Sequence, residues 1–181
     1  MPETNPNIWA PWRMEYIQGL NAPKTGPKPS CFLCDYWQNP TLDREHHVLW
    51  RTETTLVLLN RFPYSGGHLL LAPSVHQGQL DELPEPHLQD LTRLTRDATV
   101  LLREVVKAHG FNVGFNIGRC AGAGLPDHLH AHIVPRWEGD TNFMPVLGDV
   151  RVVPVSLDAL YEALDQATDR LGLPPLVTRP S

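Results

Sequence analysis

Asp127-His128-Leu129-His130-Ala131-His132-Ile133-Val134-Pro135 alternates imidazole with aliphatic side chains. Along a β-strand successive side chains point to opposite faces, so this order sets His128, His130 and His132 on one face and Leu129, Ala131 and Ile133 on the other. One face belongs against hydrocarbon, and the other presents a row of imidazoles spaced by about 6 to 7 Å. Packing alone rarely aligns three histidines on the non-core face of an apolar strand. One metal bound by all three is hard to build, because zinc–nitrogen bonds of about 2.0 to 2.1 Å do not converge easily from three successive row positions. The third possibility gives each histidine a separate task.

Outward from this segment the apolar periodicities describe an α+β domain. Residues 111–118 alternate as a strand, and the loop Arg119-Cys120-Ala121-Gly122-Ala123-Gly124-Leu125-Pro126 turns the chain into the histidine strand. Upstream, Thr55–Leu59 and residues 68–72 are short apolar runs joined by Asn60-Arg61-Phe62-Pro63-Tyr64-Ser65-Gly66-Gly67, which predicts two strands and a loop. Over residues 85–108, Leu88, Leu91, Leu94, Ala98, Leu101, Leu102 and Val105 recur every three or four positions, the stripe of a long amphipathic helix that Pro86 opens and Gly110 closes. Residues 150–155 suit one more strand, and residues 157–171 repeat as a C-terminal helix. The expected architecture is an antiparallel sheet with the long central helix and the C-terminal helix packed on it. Residues 1–30 read as an N-terminal arm ahead of a domain spanning 31–181: Trp9, Trp12, Met14 and Tyr16 precede Pro23, Gly26, Pro27 and Pro29, which exclude regular structure.

A chain of 181 residues buries roughly two-thirds of its unfolded surface, enough for one core. Its 41% hydrophobic and 19% charged residues are those of a folded protein. The net charge of −5 repels nucleic acid and polyphosphates alike, so any anionic substrate must be held by local groups. The run Leu69-Leu70-Leu71-Ala72 is far too short to cross a bilayer, and the first residues lack the basic and apolar stretches of a signal peptide. No membrane and no nucleic-acid partner is expected, and a cytoplasmic location is. Of the three cysteines, Cys31-x-x-Cys34 reads as a metal or redox pair, and Cys120 stands alone.

The segment His128-Leu129-His130-Ala131-His132-Ile133-Val134 resembles the motif of the histidine triad (HIT) superfamily, which contains nucleotide hydrolases, nucleotidyl transferases and dinucleoside polyphosphate phosphorylases. Trp9-Ala10-Pro11-Trp12-Arg13-Met14-Glu15-Tyr16-Ile17, Cys31-Phe32-Leu33-Cys34, Leu59-Asn60-Arg61-Phe62-Pro63-Tyr64 and residues 134–143 resemble its bacterial diadenosine-tetraphosphate phosphorylase branch. The resemblance implies a HIT-like fold and a nucleotidyl group carried covalently on the middle histidine, His130. An imidazole with a pKa near 6.5 is mostly neutral and nucleophilic around pH 7 to 8. It further implies that His132 hydrogen-bonds the reacting phosphate, that Asn116 lies near the substrate, that Asn60 bonds the ribose, and that His68 sits beside the row. A structural zinc held by Cys31, Cys34, His76 and His128 follows from zinc-containing relatives, and a homodimer from the family habit.

The backbone at Gly122 and Gly124 could approach phosphate oxygens, or serve only the turn. Where hydrolase branches offer Gln, Ser or Thr before the triad, this chain has Gly124, Leu125 and Pro126. That departure weakens the hydrolase assignment and passes the donor role to backbone amides or to Arg136 and Arg13. The expected activity is phosphorolysis of a dinucleoside polyphosphate such as diadenosine tetraphosphate, with nucleotide and inorganic phosphate as partners. The alternatives are a hydrolase of nucleoside polyphosphates or phosphoramidates, a nucleotide-binding signalling module, and a metal-dependent hydrolase or oxygenase. His46, His47, His87 and His109 have no comparable partners and are expected to face solvent.

Overall fold

The computed structural model describes residues 31–140 and 156–173. The expected arm 1–30 and the expected strand 150–155 lie outside them. The chain divides into two compact units. The larger, Ser30–Glu138 with Val153–Ser181, holds every element given below, and the smaller, Met1–Pro29 with Gly139–Val152, falls almost wholly outside the described residues.

Among the described residues five strands, β1 (Val48–Arg51), β2 (Thr55–Leu59), β3 (Leu69–Pro73), β4 (Gly110–Phe115) and β5 (Ala131–Arg136), form one antiparallel sheet in the order β1-β2-β3-β5-β4. Helix α1 (Phe32–Gln38) precedes the sheet, α2 (Glu85–Val105) links β3 to β4, and α3 (Leu157–Leu171) follows β5. This is the expected α+β arrangement. Its central strands, Thr55–Leu59 and Leu69–Pro73, are buried at every position, which is why they read as continuous apolar runs. Val57, Leu59, Leu69, Leu71, Ala131 and Ile133 face the stripe Leu91, Leu94, Ala98, Leu101 and Leu102 of α2. Leu56, Leu58, Leu70 and Ala72 point the other way, beneath Leu33 of α1.

Helix α3 joins the first layer through Leu160, Tyr161, Leu164 and Ala167. Trp50 Nε1–H donates to Thr168 Oγ1 at 3.0 Å, and the Tyr161 hydroxyl donates to the Val48 carbonyl at 3.2 Å. Its N-cap Ser156 accepts from the Ala159 N–H, and Gly172 closes it at φ +63°, a left-handed turn that suits glycine.

Three expectations need correction. The strand carrying the triad begins at Ala131, so His132 alone of the three lies in it. The β3–β5 ladder ends at Leu71 opposite Ala131, two residues before Pro73, which has no N–H to give. Leu129 N–H instead donates to the Gln77 carbonyl at 2.6 Å. The central helix stops at Val105, short of 108, and β4 stops at Phe115, short of 118, where Gly118 takes φ +80°. Neither α1 nor β1 is announced by periodicity, since seven and four residues are too few to show one.

Candidate active site and metal centre

On β5, Ala131 and Ile133 are buried toward α2, while His132 emerges on the opposite face between Leu70 of β3 and Gly114 of β4. His68 stands just ahead of β3, fully buried, and its Nε2 lies 3.0 Å from His132 Nδ1. Protons can be placed along this line. The Tyr64 N–H donates to His68 Nδ1 at 3.1 Å, and the Asn60 amide nitrogen lies 3.2 Å from the same atom. That ring nitrogen therefore accepts, and the single proton of a neutral His68 sits on Nε2, donated to His132 Nδ1. His132 in turn carries its proton on Nε2, 3.4 Å from the side-chain amide of Asn116. With that tautomer Asn116 meets the ring through its oxygen, since amide nitrogen and oxygen are assigned from the network.

His130 is buried and fixed differently. Its Nδ1–H donates to the His128 carbonyl at 2.9 Å, which leaves the lone pair on Nε2. The His130 and His132 rings are 5.0 Å apart between centroids. Burial lowers the pKa of His130, the bond to the His128 carbonyl opposing it. His68 is pushed down to about 3, first by burial and then by His132 and His130.

A base whose folded pKa is depressed stays neutral in the fold while the unfolded chain takes up a proton, so stability falls as pH drops below about 6.5. His68 alone is expected to contribute a slope of up to about 1.4 kcal/mol per pH unit between roughly pH 6 and pH 4. Urea denaturation across that range, with His68→Gln beside the wild type, checks it. An equal slope in both proteins would show that His68 titrates freely.

The remaining histidine of the row faces away from the other two. His128 is buried, its Nε2–H donating to the Pro73 carbonyl at 2.8 Å, so Nδ1 carries the lone pair. That nitrogen lies 3.1 Å from Cys31 Sγ and 3.4 Å from Cys34 Sγ, and His76 Nδ1 lies 3.2 Å from Cys34 Sγ. The four donor atoms all fall within 4.8 Å of one another. A tetrahedral ion with bonds of about 2.0 to 2.3 Å holds its ligands roughly 3.3 to 3.8 Å apart, so the set fits zinc after small adjustments. The donor chemistry agrees: two sulfurs and two imidazoles, one of them oriented by a carbonyl on its far nitrogen. Burial, then the neighbouring Cys31, pushes the Cys34 thiol up to about 11, a proton that a bound cation would displace.

The loop bearing His76 is pressed against the segment bearing His128. A Cβ on Gly78 would stand 2.6 Å from the Pro126 carbonyl oxygen, closer than real contacts allow, and the Gln77 carbonyl takes the Leu129 N–H. Gly78→Ala is expected to cost about 1 to 3 kcal/mol. Thermal melting measures it, and an unchanged Tm would mean that the loop yields freely.

The expected residues are thus brought together unequally. His68, His130, His132 and Asn116 share one cluster, with Asn60 at its edge, where Asn60 Oδ1 also accepts the Phe62 N–H. Gly122 forms an exposed left-handed turn at φ +86° and Gly124 follows it before the triad. Arg136 lies four residues beyond His132, roughly 13 Å along the strand, and donates to Asn112 Oδ1. The sequence alone assigns Tyr64 no role, yet its ring lies 4.7 Å from His68 and stacks at 6.0 Å on His132. Its signals in the sequence are its place in the loop four residues before His68 and in the segment Leu59-Asn60-Arg61-Phe62-Pro63-Tyr64 that carries the resemblance. Of the histidines expected in solvent, only His109 is exposed. His46 stacks on Tyr36, His47 bonds Asp158, and His87 bonds Ser74, contacts made across distant elements that spacing cannot reveal.

Residues 41–139 match the HIT domain family, more than half of the chain, and the chain belongs to that family. It is 37% identical over 150 residues to the AP-4-A phosphorylase of Mycobacterium tuberculosis, covering 81% of this chain and 76% of that protein. It is also 32% identical over 93 residues to the bis(5'-nucleosyl)-tetraphosphatase [asymmetrical] of Schizosaccharomyces pombe, covering 51% of this chain and 50% of that one. A zinc-bound histidine triad family protein from Mycobacterium smegmatis shares the fold with a TM-score of 0.62 at 23% identity, over 78% of this chain and 95% of that one. Among the described residues no helix is long and apolar enough to cross a membrane.

Proposed function

We propose that this protein is a nucleotidyl-transfer enzyme of the cytoplasm that cleaves dinucleoside polyphosphates, diadenosine tetraphosphate among them, by phosphorolysis through a nucleotidyl-histidine. The observation that carries this function is the set of contacts around the two rings, which assigns them opposed tautomers. His130 presents a lone pair on Nε2, and the neighbouring His132 presents an N–H on Nε2. The first is a nucleophile, the second a donor for charge that grows on a phosphate oxygen in the transition state.

In the first step His130 Nε2 bonds to an α-phosphorus, and the bond from that phosphorus to the bridging oxygen breaks, releasing ATP from diadenosine tetraphosphate. In the second, an oxygen of inorganic phosphate bonds to the same phosphorus, the N–P bond breaks, and ADP leaves with the neutral imidazole restored. The low pKa of His130 supports this chemistry, because the ring is uncharged at neutral pH. Asn60 holds the ribose, Asn116 steadies His132, and Gly122, Gly124 and Arg136 line the path of the substrate. The arm 1–30 precedes the catalytic domain 31–181. Cys31, Cys34, His76 and His128 hold a structural zinc, a set closed by four protein donors with no place for a reactive water.

The protein acts as a homodimer. Among the described residues strand β4 is an edge of the sheet, and Val113 and Phe115 with the nearby Ile117 leave apolar surface exposed beside it, a combination suited to pairing with a second copy.

Phosphorolysis is favoured over hydrolysis by the greater identity and coverage with the phosphorylase than with the tetraphosphatase. Incubating purified protein with diadenosine tetraphosphate, with and without phosphate, decides between them. Phosphate-dependent formation of ADP and ATP is the expected result. AMP and ATP formed without phosphate would make the enzyme a hydrolase, and no turnover would overturn both.

A further inference from the structure

Helix α1 supplies Cys31 at its N-cap and Cys34 in its first turn. The helix rests on the sheet through Leu33 with the half-buried Tyr36 and Trp37, Tyr36 also stacking on His46, while its own backbone is weakly secured. It has seven residues, no side-chain N-cap bond, and Leu33 as its one buried residue. Isolated helices shorter than about 12 residues are marginal in water. At its C-terminus the Asp35 carbonyl accepts from Asn39, and the next two carbonyls both accept from one side chain on β1. Arg51 Nη2–H donates to the Tyr36 carbonyl at 2.8 Å and Nη1–H to the Trp37 carbonyl at 2.9 Å. The same guanidinium pairs with Asp43, Nη2 to Oδ1 at 2.6 Å and Nε to Oδ2 at 3.1 Å, and lies over the Trp37 ring at 5.3 Å.

A planar fork with five donors can serve a carboxylate and two carbonyls together, which an ammonium cannot. Its charge also lies at the negative end of the helix dipole. The contacts are well shielded, with the Arg51 side chain 17% exposed and Asp43 26%. Cys34 sits one turn before Trp37, so whatever fixes the last turn of α1 fixes the direction of the sulfur pair toward His128.

We infer that Arg51 is a positioning residue for the Cys31, Cys34, His76, His128 centre: it clamps the C-terminal turn of α1 to β1 so that the sulfur pair is set for a metal before the metal arrives. This role rests on the metal reading proposed above. Groups bonded directly to a metal ligand are worth about tenfold to a hundredfold in metal affinity, and Arg51, acting through the helix backbone, is expected at the lower end of that range.

Cobalt reports on the centre through the visible absorption of a tetrahedral sulfur-ligated ion, and hydrogen exchange reports on α1 independently. Wild type, Arg51→Met and Arg51→Lys, stripped of metal, are titrated with Co2+ against a competing chelator, and amide exchange is followed over residues 32–38 and over β3 and β5. Arg51→Met is expected to bind cobalt at least tenfold more weakly and to exchange faster in α1, with β3 and β5 unchanged. Arg51→Lys, which keeps the charge but loses the fork, should fall between it and the wild type and serves if Arg51→Met does not fold. Folded variants that bind cobalt as tightly as the wild type overturn the role of Arg51 alone. A wild type that takes up no cobalt overturns the metal centre itself, and this role with it.

Discussion

Alanine at position 130 is expected to lower kcat on diadenosine tetraphosphate by about 10,000-fold or more, the scale seen when a covalent nucleophile is removed. Nucleotide binding should survive within a few fold, because the groups assigned to hold the substrate remain. The size of the effect follows from two features of the site. His130 is buried with its Nδ1–H committed to the His128 carbonyl, so the reactive nitrogen is aimed by the main chain and its lone pair is free of a proton at neutral pH. The neighbouring His132 cannot take over, since His68 donates to its Nδ1 and its Nε2 carries the remaining proton. His132→Ala should therefore cost less, about 100- to 1,000-fold, the loss of one donor to the developing charge. Acid-avoiding quench and mass spectrometry of the wild type in turnover should find the nucleotidyl mass on the peptide containing His130. Turnover by His130→Ala within tenfold of the wild type would end the nucleophile assignment.

Metal removal should act on the fold first and on catalysis second. A ligand that binds the native state at about 1,000 times its Kd stabilises it by about 4 kcal/mol. At about 2 to 4 °C per kcal/mol for a chain of this size, chelation is expected to lower Tm by roughly 10 °C. His128 couples the two effects, because its ring belongs to the Cys31, Cys34, His76 cluster while its own carbonyl fixes the His130 ring. Loosening the cluster should thus lower kcat even where the chain remains folded at the assay temperature. Calorimetry of zinc-loaded and chelated protein, with Cys31→Ser as a variant that cannot complete the centre, tests this. An unchanged Tm on chelation would remove the structural role. A complete loss of activity at unchanged Tm would point to a metal that takes part in the reaction.

Much of the architecture could be read from local pattern. Strand β2 and helix α3 occupy the residues that periodicity predicted, and α2 begins where Pro86 and the leucine stripe placed its start. Such elements declare themselves because a repeat of two or of 3.6 is imposed by which face meets the core. The ends were less legible. Pro73 ends β3, and Gly118 lies past the end of β4, but what takes over after a strand stops depends on a partner from elsewhere in the chain. Here that partner is the Gln77 carbonyl on the Leu129 N–H.

The row of imidazoles, the spacing of the sulfur pair and the apolar runs were determined by the chain alone, and they sufficed for the α+β class and for the sulfur pair as a metal or redox candidate. His76 and His128 joined that pair only through the resemblance to zinc-containing relatives. Tertiary structure decided the rest. Register pairs Leu70 with His132 and so brings His68 within reach of it, two segments 64 residues apart in sequence. The same folding turns His128 out of the row toward sulfur and lays Arg51 across the end of α1. Directionality explains the division: a proton's position, a lone pair's aim and a guanidinium's fork are set by the atoms opposite them, and those atoms come from distant parts of the chain.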